Sequence, residues 1–217
     1  MAYIEGRTVH DADAHVMELP DKILEYLAPS AVDAFIKTAN KPITVSQDLQ
    51  NAIALQSDPS FRAEDAAQLM LRKNHLALGA FEAKDRPKTL DLLGFTSQLV
   101  FTTAALGNFG LDEKDPALAQ AAALAHNRMN SDFCSVDPRL LATGYVPLSD
   151  LDAAPGIAIE AIELGCRGLV VPSACPAHHS PSHRGLDPLW ALLEEAGLPV
   201  LFHVGGEEKM AAAYANN

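Results

Sequence analysis

The sequence predicts an α/β fold built on a parallel sheet, and three observations carry that prediction. Short β-rich apolar runs alternate with longer segments of helical spacing. Several helices stop at a glycine just ahead of the next strand, the short join found in barrels and doubly wound sheets. The fourth and fifth strand candidates, Gly168–Pro172 and Pro199–Val204, are nearly all apolar, as strands covered on both faces require.

Taken in order, the strand candidates are Thr8–His15, Gln98–Thr102, Ala142–Pro147, Gly168–Pro172 and Pro199–Val204. The helices between them have readable ends. Asp115-Pro116 supplies an N-cap and a first-turn proline for the helix carrying Leu118, Ala122, Ala125, Met129 and Phe133. Asp187-Pro188 does the same before Leu189, Trp190, Leu192, Leu193 and Ala196, and Gly197 ends that helix. A helix over Asp152–Leu164 ends at Gly165, and Leu90–Leu93 ends at Gly94. The first crossover, roughly 80 residues long, exceeds a plain βαβ link. It holds helix candidates at Asp21–Leu27 and Ala63–Leu78 around a polar, turn-rich Asn40–Arg62, so residues 40–80 are expected to form an insertion or lid within a single domain spanning 1–217.

Composition narrows the function classes. With 217 residues and 48% hydrophobic side chains the chain can bury a sizeable core. Sixteen basic against 28 acidic residues give a net charge of −12, which repels nucleic acid and anionic lipid. Cys134, Cys166 and Cys175 have neither the even count of a disulfide framework nor close metal-ligand spacing, and read as small packing residues. A cytoplasmic setting is the expectation. A nucleotide-binding doubly wound sheet is disfavoured, because no glycine-rich phosphate loop follows the first strand.

The chemistry concentrates at strand ends. Alternation along the polar first strand puts Asp11, Asp13 and His15 on one face and His10 on the other. Such a row inside a sheet is costly unless paired or bound to a cation; an edge strand meeting water is the alternative. His203 lies at the carboxyl end of the last strand, where parallel folds gather ligands, although a hydrogen-bonded structural histidine would fit there too. Together Asp13, His15 and His203 offer one carboxylate and two imidazoles to a divalent metal and leave positions open, as catalytic zinc and manganese sites do. His178, His179, His183 and Arg184 follow the fourth strand and suit a carboxylate-bearing substrate, or form a solvated loop. Asn127, Arg128 and Asn130 read as structural hydrogen-bonding residues.

Asp11-Ala-Asp-Ala-His-Val-Met-Glu18, the segment His126–Pro147, Gly185-Leu-Asp-Pro-Leu-Trp190 and Gly197-Leu-Pro-Val-Leu-Phe-His203 together resemble the amidohydrolase-related family. The resemblance lies in its branch of aminocarboxymuconate-semialdehyde and hydroxybenzoate decarboxylases, within the metal-dependent hydrolases. It implies a distorted (β/α)8 TIM-like barrel with a metal at the carboxyl ends of its strands. Asp13 and His15 would be ligands from the first strand and His203 from the fifth, with zinc expected and manganese the alternative. Many members have His where this chain has Asp13, and the proline beside the family's Glu stands one residue late, at Pro20.

It further implies hydrolysis of a C–N or C–O bond, or decarboxylation of an aromatic or muconate-type carboxylate, by metal-assisted acid-base chemistry. The substrate would be a small carboxylate, lactone or amide, and the complete enzyme a homo-oligomer. A whole barrel needs about 250 residues and eight strands, of which about five are legible here. The family's acid-base Asp and its sixth-strand histidine would lie beyond Asn217, so the chain is expected to be a fragment, with an inactive binding or self-association module as the alternative.

Overall fold

The computed structural model describes residues 2–38, 43–108, 110–173, 176 and 179–203. Every strand pair among them is parallel: β1 (His10–Val16), β2 (Ser97–Thr102) and β3 (Leu140–Ala142) form one ladder, and β4 (Gly144–Tyr145), β5 (Leu169–Val171) and β6 (Val200–Phe202) another. The two ladders are one sheet. β3 and β4 belong to a single extended segment that changes partner at Thr143, whose amide donates to Val100 O at 3.0 Å, while the next amide, Gly144, donates to Gly168 O at 3.0 Å. The predicted Ala142–Pro147 strand therefore starts two residues earlier, at Leu140, and serves as the central strand between β2 and β5.

The helices lie where their caps place them. The Asp115 side chain accepts from Leu118 N at the head of the Pro116–Cys134 helix. Gly197 ends Asp187–Ala196 in the left-handed region, at φ 64°. Ala154–Glu163 and Arg86–Leu93 occupy the other two predicted positions. Leu90, Val100, Val146, Leu148, Leu169, Val171, Leu189 and Leu193 fill the main core between sheet and helices. Gly144 permits a close approach inside this core: a Cβ there would stand 2.7 Å from Leu169 Cδ2 and 2.9 Å from Ala161 Cβ.

The Pro116–Cys134 helix is buried on two sides, which explains its alanines. One face meets the sheet, and Leu118, Ala119, Ala122 and Ala125 meet a second core of Ile23, Leu27, Phe35 and Leu111 from the first crossover and the chain ahead of the helix. Cys134 and Cys166 are buried free thiols pushed up to about 12 by burial, as packing residues should be. Cys175 lies outside the described residues. No described helix is long and apolar enough to cross a membrane.

The first crossover differs from the sequence expectation. Most of the described part of Asn40–Arg62 is helical: Gln47–Ser57 starts where Ser46 accepts from Leu49 N, and Pro59–Ala63 starts where Asp58 accepts from Ser60 N. Asp58-Pro59 is the same cap-and-proline signal as Asp115-Pro116, and the polar composition masks it. Conversely, the helix expected over Ala63–Leu78 breaks into a turn at Asp65–Gln68 and a 3-10 turn at Asn74–Leu76. Asn74 adopts φ 52°, and the Arg72 guanidinium folds back over the Phe61 ring at 3.5 Å while donating to Phe61 O and Asp65. Gln56 Nε2 meets the carbonyls of His75, Leu76 and Ala77, satisfying groups that a continuous helix would have used internally. Asp21–Leu27 shortens to the 3-10 turn Lys22–Glu25, and a helix at Pro29–Thr38 follows it.

Candidate metal centre

The first strand holds the decisive local feature. Asp11 pairs with Gln98 and Ala14 with Val100, so three steps on β1 match two on β2, which is a bulge. A bulge swaps faces. Asp11 consequently sits on the helix-covered side, where it accepts from Gln98 Nε2 at 3.0 Å, and Gln98 in turn accepts from the buried Arg86 Nε at 2.9 Å. The Asp11 carboxylate also accepts from Asp13 N at 3.1 Å, a local turn that competes with the ladder. The expectation of Asp11, Asp13 and His15 on one face is thus corrected: Asp13 and His15 share the inner face and Asp11 does not.

His203, one residue past β6, meets the first strand from the far edge of the sheet. Asp13 Oδ1 lies 3.4 Å from His15 Nε2 and 3.4 Å from His203 Nε2, and the two imidazole nitrogens are 3.1 Å apart. These are the only three-residue His, Cys, Asp or Glu group among the described residues with ligand atoms this close. Metal–ligand bonds of about 2.0–2.2 Å in tetrahedral arrangement place neighbouring donor atoms roughly 3.3–3.6 Å apart, so the two Asp13 edges match one face of such a polyhedron and the imidazole–imidazole edge is slightly shorter. The first and last described strands of the sheet therefore converge at their carboxyl ends.

Burial grades across the triad. The Asp13 side chain is 72% exposed, His15 26% and His203 14%, so the face beside the carboxylate is the open one. Burial lowers the His15 pKa; the Asp13 carboxylate opposes that shift and His203 reinforces it. The neutral imidazole so favoured is the form that ligates metals. Phe101 stacks on His15 at 5.7 Å and tilts against His203 at 5.4 Å, holding both rings from below. His15 Nδ1 contacts Thr103 Oγ1 at 3.2 Å. Neither Phe101 nor Thr103 stands out in the sequence, although both sit at the carboxyl end of the second strand, where such neighbours belong.

Glu18 supports the same corner. Its Oε2 accepts from Thr103 N at 3.0 Å and Ala104 N at 3.1 Å, while Oε1 is buried without a hydrogen-bond partner. Burial raises this carboxyl from 4.5 to about 7. Glu18 also lines a cavity of about 320 Å³ together with Val16, Leu19, Tyr26, Met129 and Phe133, which none of the three metal-site residues lines. Because the folded pKa is raised, the stability linked to the protonated form is fully present below about pH 4.5 and is lost as pH rises through about 7. Urea unfolding from pH 4.5 to 8 should therefore show Glu18→Gln gaining on the wild type with rising pH, by roughly 1–3 kcal/mol in all. A constant difference across that range would show that Glu18 titrates normally.

Of the loop residues, His178 lies outside the described residues. The His179 and His183 rings pack edge to face at 5.4 Å, and His183 Nδ1 accepts from Gly185 N at 3.0 Å to cap the turn that opens at the exposed Arg184. Asn127 and Asn130 are structural, as the sequence suggests. Asn127 bonds both backbone groups of Tyr145, and Asn130 donates to Val100 O and Thr143 O. Arg128 forms a two-pronged pair with Glu160 at 2.7 and 3.0 Å.

Comparison with known proteins agrees with this architecture. The chain is similar to an amidohydrolase from Mycobacterium avium subsp. paratuberculosis K-10, with a TM-score of 0.71 and 21% identity over 98% of this chain and 63% of that one. It is also similar to 5-carboxyvanillate decarboxylase from Novosphingobium aromaticivorans DSM 12444, solved with manganese and 3-methoxy-4-hydroxy-5-nitrobenzoic acid. There the TM-score is 0.53, with 18% identity over 91% of this chain and 51% of that one. A second structure of that decarboxylase, also with manganese, gives 0.54 and 18% over 91% and 50%. At these identities the likeness is one of fold, and the chain spans about half to two thirds of the length of these neighbours. Comparison with curated protein sequences finds no match. The profile described as Amidohydrolase matches residues 11–216, nearly the whole sequence and all three residues of the triangle: the chain belongs to the amidohydrolase family.

Proposed function

We propose that Asp13, His15 and His203 hold one divalent metal ion, zinc or manganese, in an enzyme that hydrolyses a C–N or C–O bond or decarboxylates a small aromatic or muconate-type carboxylate. The observation that carries this reading is the triangle of ligand atoms, 3.1, 3.4 and 3.4 Å on its sides, drawn from residues 188 apart along the chain. A carboxylate with two imidazoles suits both metals, and the manganese in the decarboxylase neighbour adds support for the second.

When bound there, the metal would polarise a substrate oxygen and lower the pKa of coordinated water. The chain's own residues do the rest. His15 and His203 present imidazole nitrogens, Asp13 contributes a carboxylate at the open face, and Phe101 packs against the rings' inner side. Beyond this triangle, the loop of His178, His179, His183 and Arg184 would meet the substrate carboxylate, for which a guanidinium offers a matched fork of donors.

The test is titration of the metal-stripped protein with Mn²⁺ and Zn²⁺ against a chromophoric chelator. A single equivalent bound tightly is expected for at least one of them. Failure of both ions to compete at any stoichiometry would overturn the assignment.

A further inference from the structure

We propose that Thr103 is a positioning residue that holds His15 as its Nδ1–H tautomer, keeping the lone pair on Nε2 at the point shared with Asp13 and His203. The inference rests on the metal-binding reading above but is argued from proton counting. A hydroxyl has one hydrogen to donate. Thr103 Oγ1 lies 2.7 Å from Val16 O, a carbonyl that can only accept, so its hydrogen is committed there; Met17 Sδ at 3.6 Å is a much weaker claimant. What remains toward His15 is a lone pair. The 3.2 Å contact with His15 Nδ1 can then be a hydrogen bond only if the imidazole supplies the proton from Nδ1.

The competing arrangement puts the proton on Nε2, pointing at Asp13 Oδ1. That contact, at 3.4 Å, is longer, and the carboxylate is exposed to water that can satisfy it instead; the 3.1 Å contact between the Nε2 atoms of His15 and His203 needs a single proton, which either ring can supply, so it does not require one on His15. Two further constraints keep Thr103 in place. Its backbone amide is held by Glu18 Oε2 at 3.0 Å, and the Phe101 ring stacked on His15 limits rotation of the imidazole away from the hydroxyl. One proton on a threonine thus selects which nitrogen of a histidine, on the neighbouring strand, is free to ligate.

The experiment uses the full chain, metal-free and then titrated with Mn²⁺ and Zn²⁺. Long-range ¹H–¹⁵N correlation spectra of metal-free wild type should show His15 with a protonated Nδ1. In Thr103→Val, which keeps the shape and removes the hydroxyl, the His15 signals should move toward the Nε2–H form, and metal affinity should fall about 10- to 100-fold. Thr103→Ser should restore both. A wild-type spectrum dominated by Nε2–H, or a folded Thr103→Val variant with unchanged tautomer and affinity, overturns the proposal. Should Thr103→Val fail to fold, the wild-type tautomer and the Thr103→Ser affinity decide it. Should the wild type bind no metal, the metal reading fails while the tautomer measurement still judges Thr103.

Discussion

His203→Ala is expected to lower the affinity for the divalent ion by more than about 100-fold. Loss of a group that merely orients a ligand costs 10- to 100-fold, and here a ligand itself disappears. The residue is well suited to a clean test. It lies one position past β6, outside the ladder, so its removal leaves the backbone pairing of Val200, Leu201 and Phe202 with β5 intact. Its ring packs against His15 and Phe101, at 5.1 and 5.4 Å, and both of these neighbours stand at the site itself. Circular dichroism and the urea midpoint should therefore stay close to wild type while chelator competition reports the weakened binding. A variant that keeps wild-type affinity would remove His203 from the ligand set and leave Asp13 and His15, two nearby groups on one strand, as an ordinary polar strand end.

The parts of this site that the sequence reveals are those fixed by local periodicity. Strand runs such as Gly168–Pro172 and helix caps such as Asp115-Pro116 can be read because each is settled within a few residues by burial or by a capping hydrogen bond. From them follows the meeting of His15 and His203, since strands of a parallel sheet all end on one side. The face of Asp11 is different in kind. It is set by a register shift against β2 and by the buried Arg86–Gln98 pair, both about 80 residues away along the chain, and alternation within β1 carries no trace of either. Thr103 and Phe101 escape notice for the same reason: Phe101 faces His15 across the ladder and Thr103 meets it from the residue just after the strand, and neither contact is visible in the run of sequence itself. In the first crossover, polar composition is a poor proxy for conformation, and the caps at Ser46 and Asp58 are the better guide.

Asn127→Ala is expected to destabilise the fold by about 2–5 kcal/mol, and the reason lies in how the sheet runs out of neighbours. The amides of Gly144 and Val146 donate to β5, at Gly168 O and Val170 O, so Tyr145 between them turns both its backbone groups toward β2. There β2 has already ended at Thr102 and the chain has turned into the helix Thr103–Gly107. The Asn127 side chain replaces the missing strand. Its Oδ1 accepts from Tyr145 N at 2.7 Å and its Nδ2 donates to Tyr145 O at 3.1 Å, so one carboxamide presents the same donor and acceptor as a peptide group. Asn127 is 1% and Tyr145 4% exposed, which denies water access when the carboxamide is removed. Each backbone group orphaned this way costs about 1–3 kcal/mol, and the sum is a large share of the roughly 5–15 kcal/mol by which a domain is stable. Urea unfolding should show the midpoint falling at an unchanged slope, the mark of lost native stability rather than an altered unfolded state. A loss under about 1 kcal/mol would mean that Tyr145 finds other partners and that the helix Pro116–Cys134 is held to the sheet by packing and by Asn130 instead.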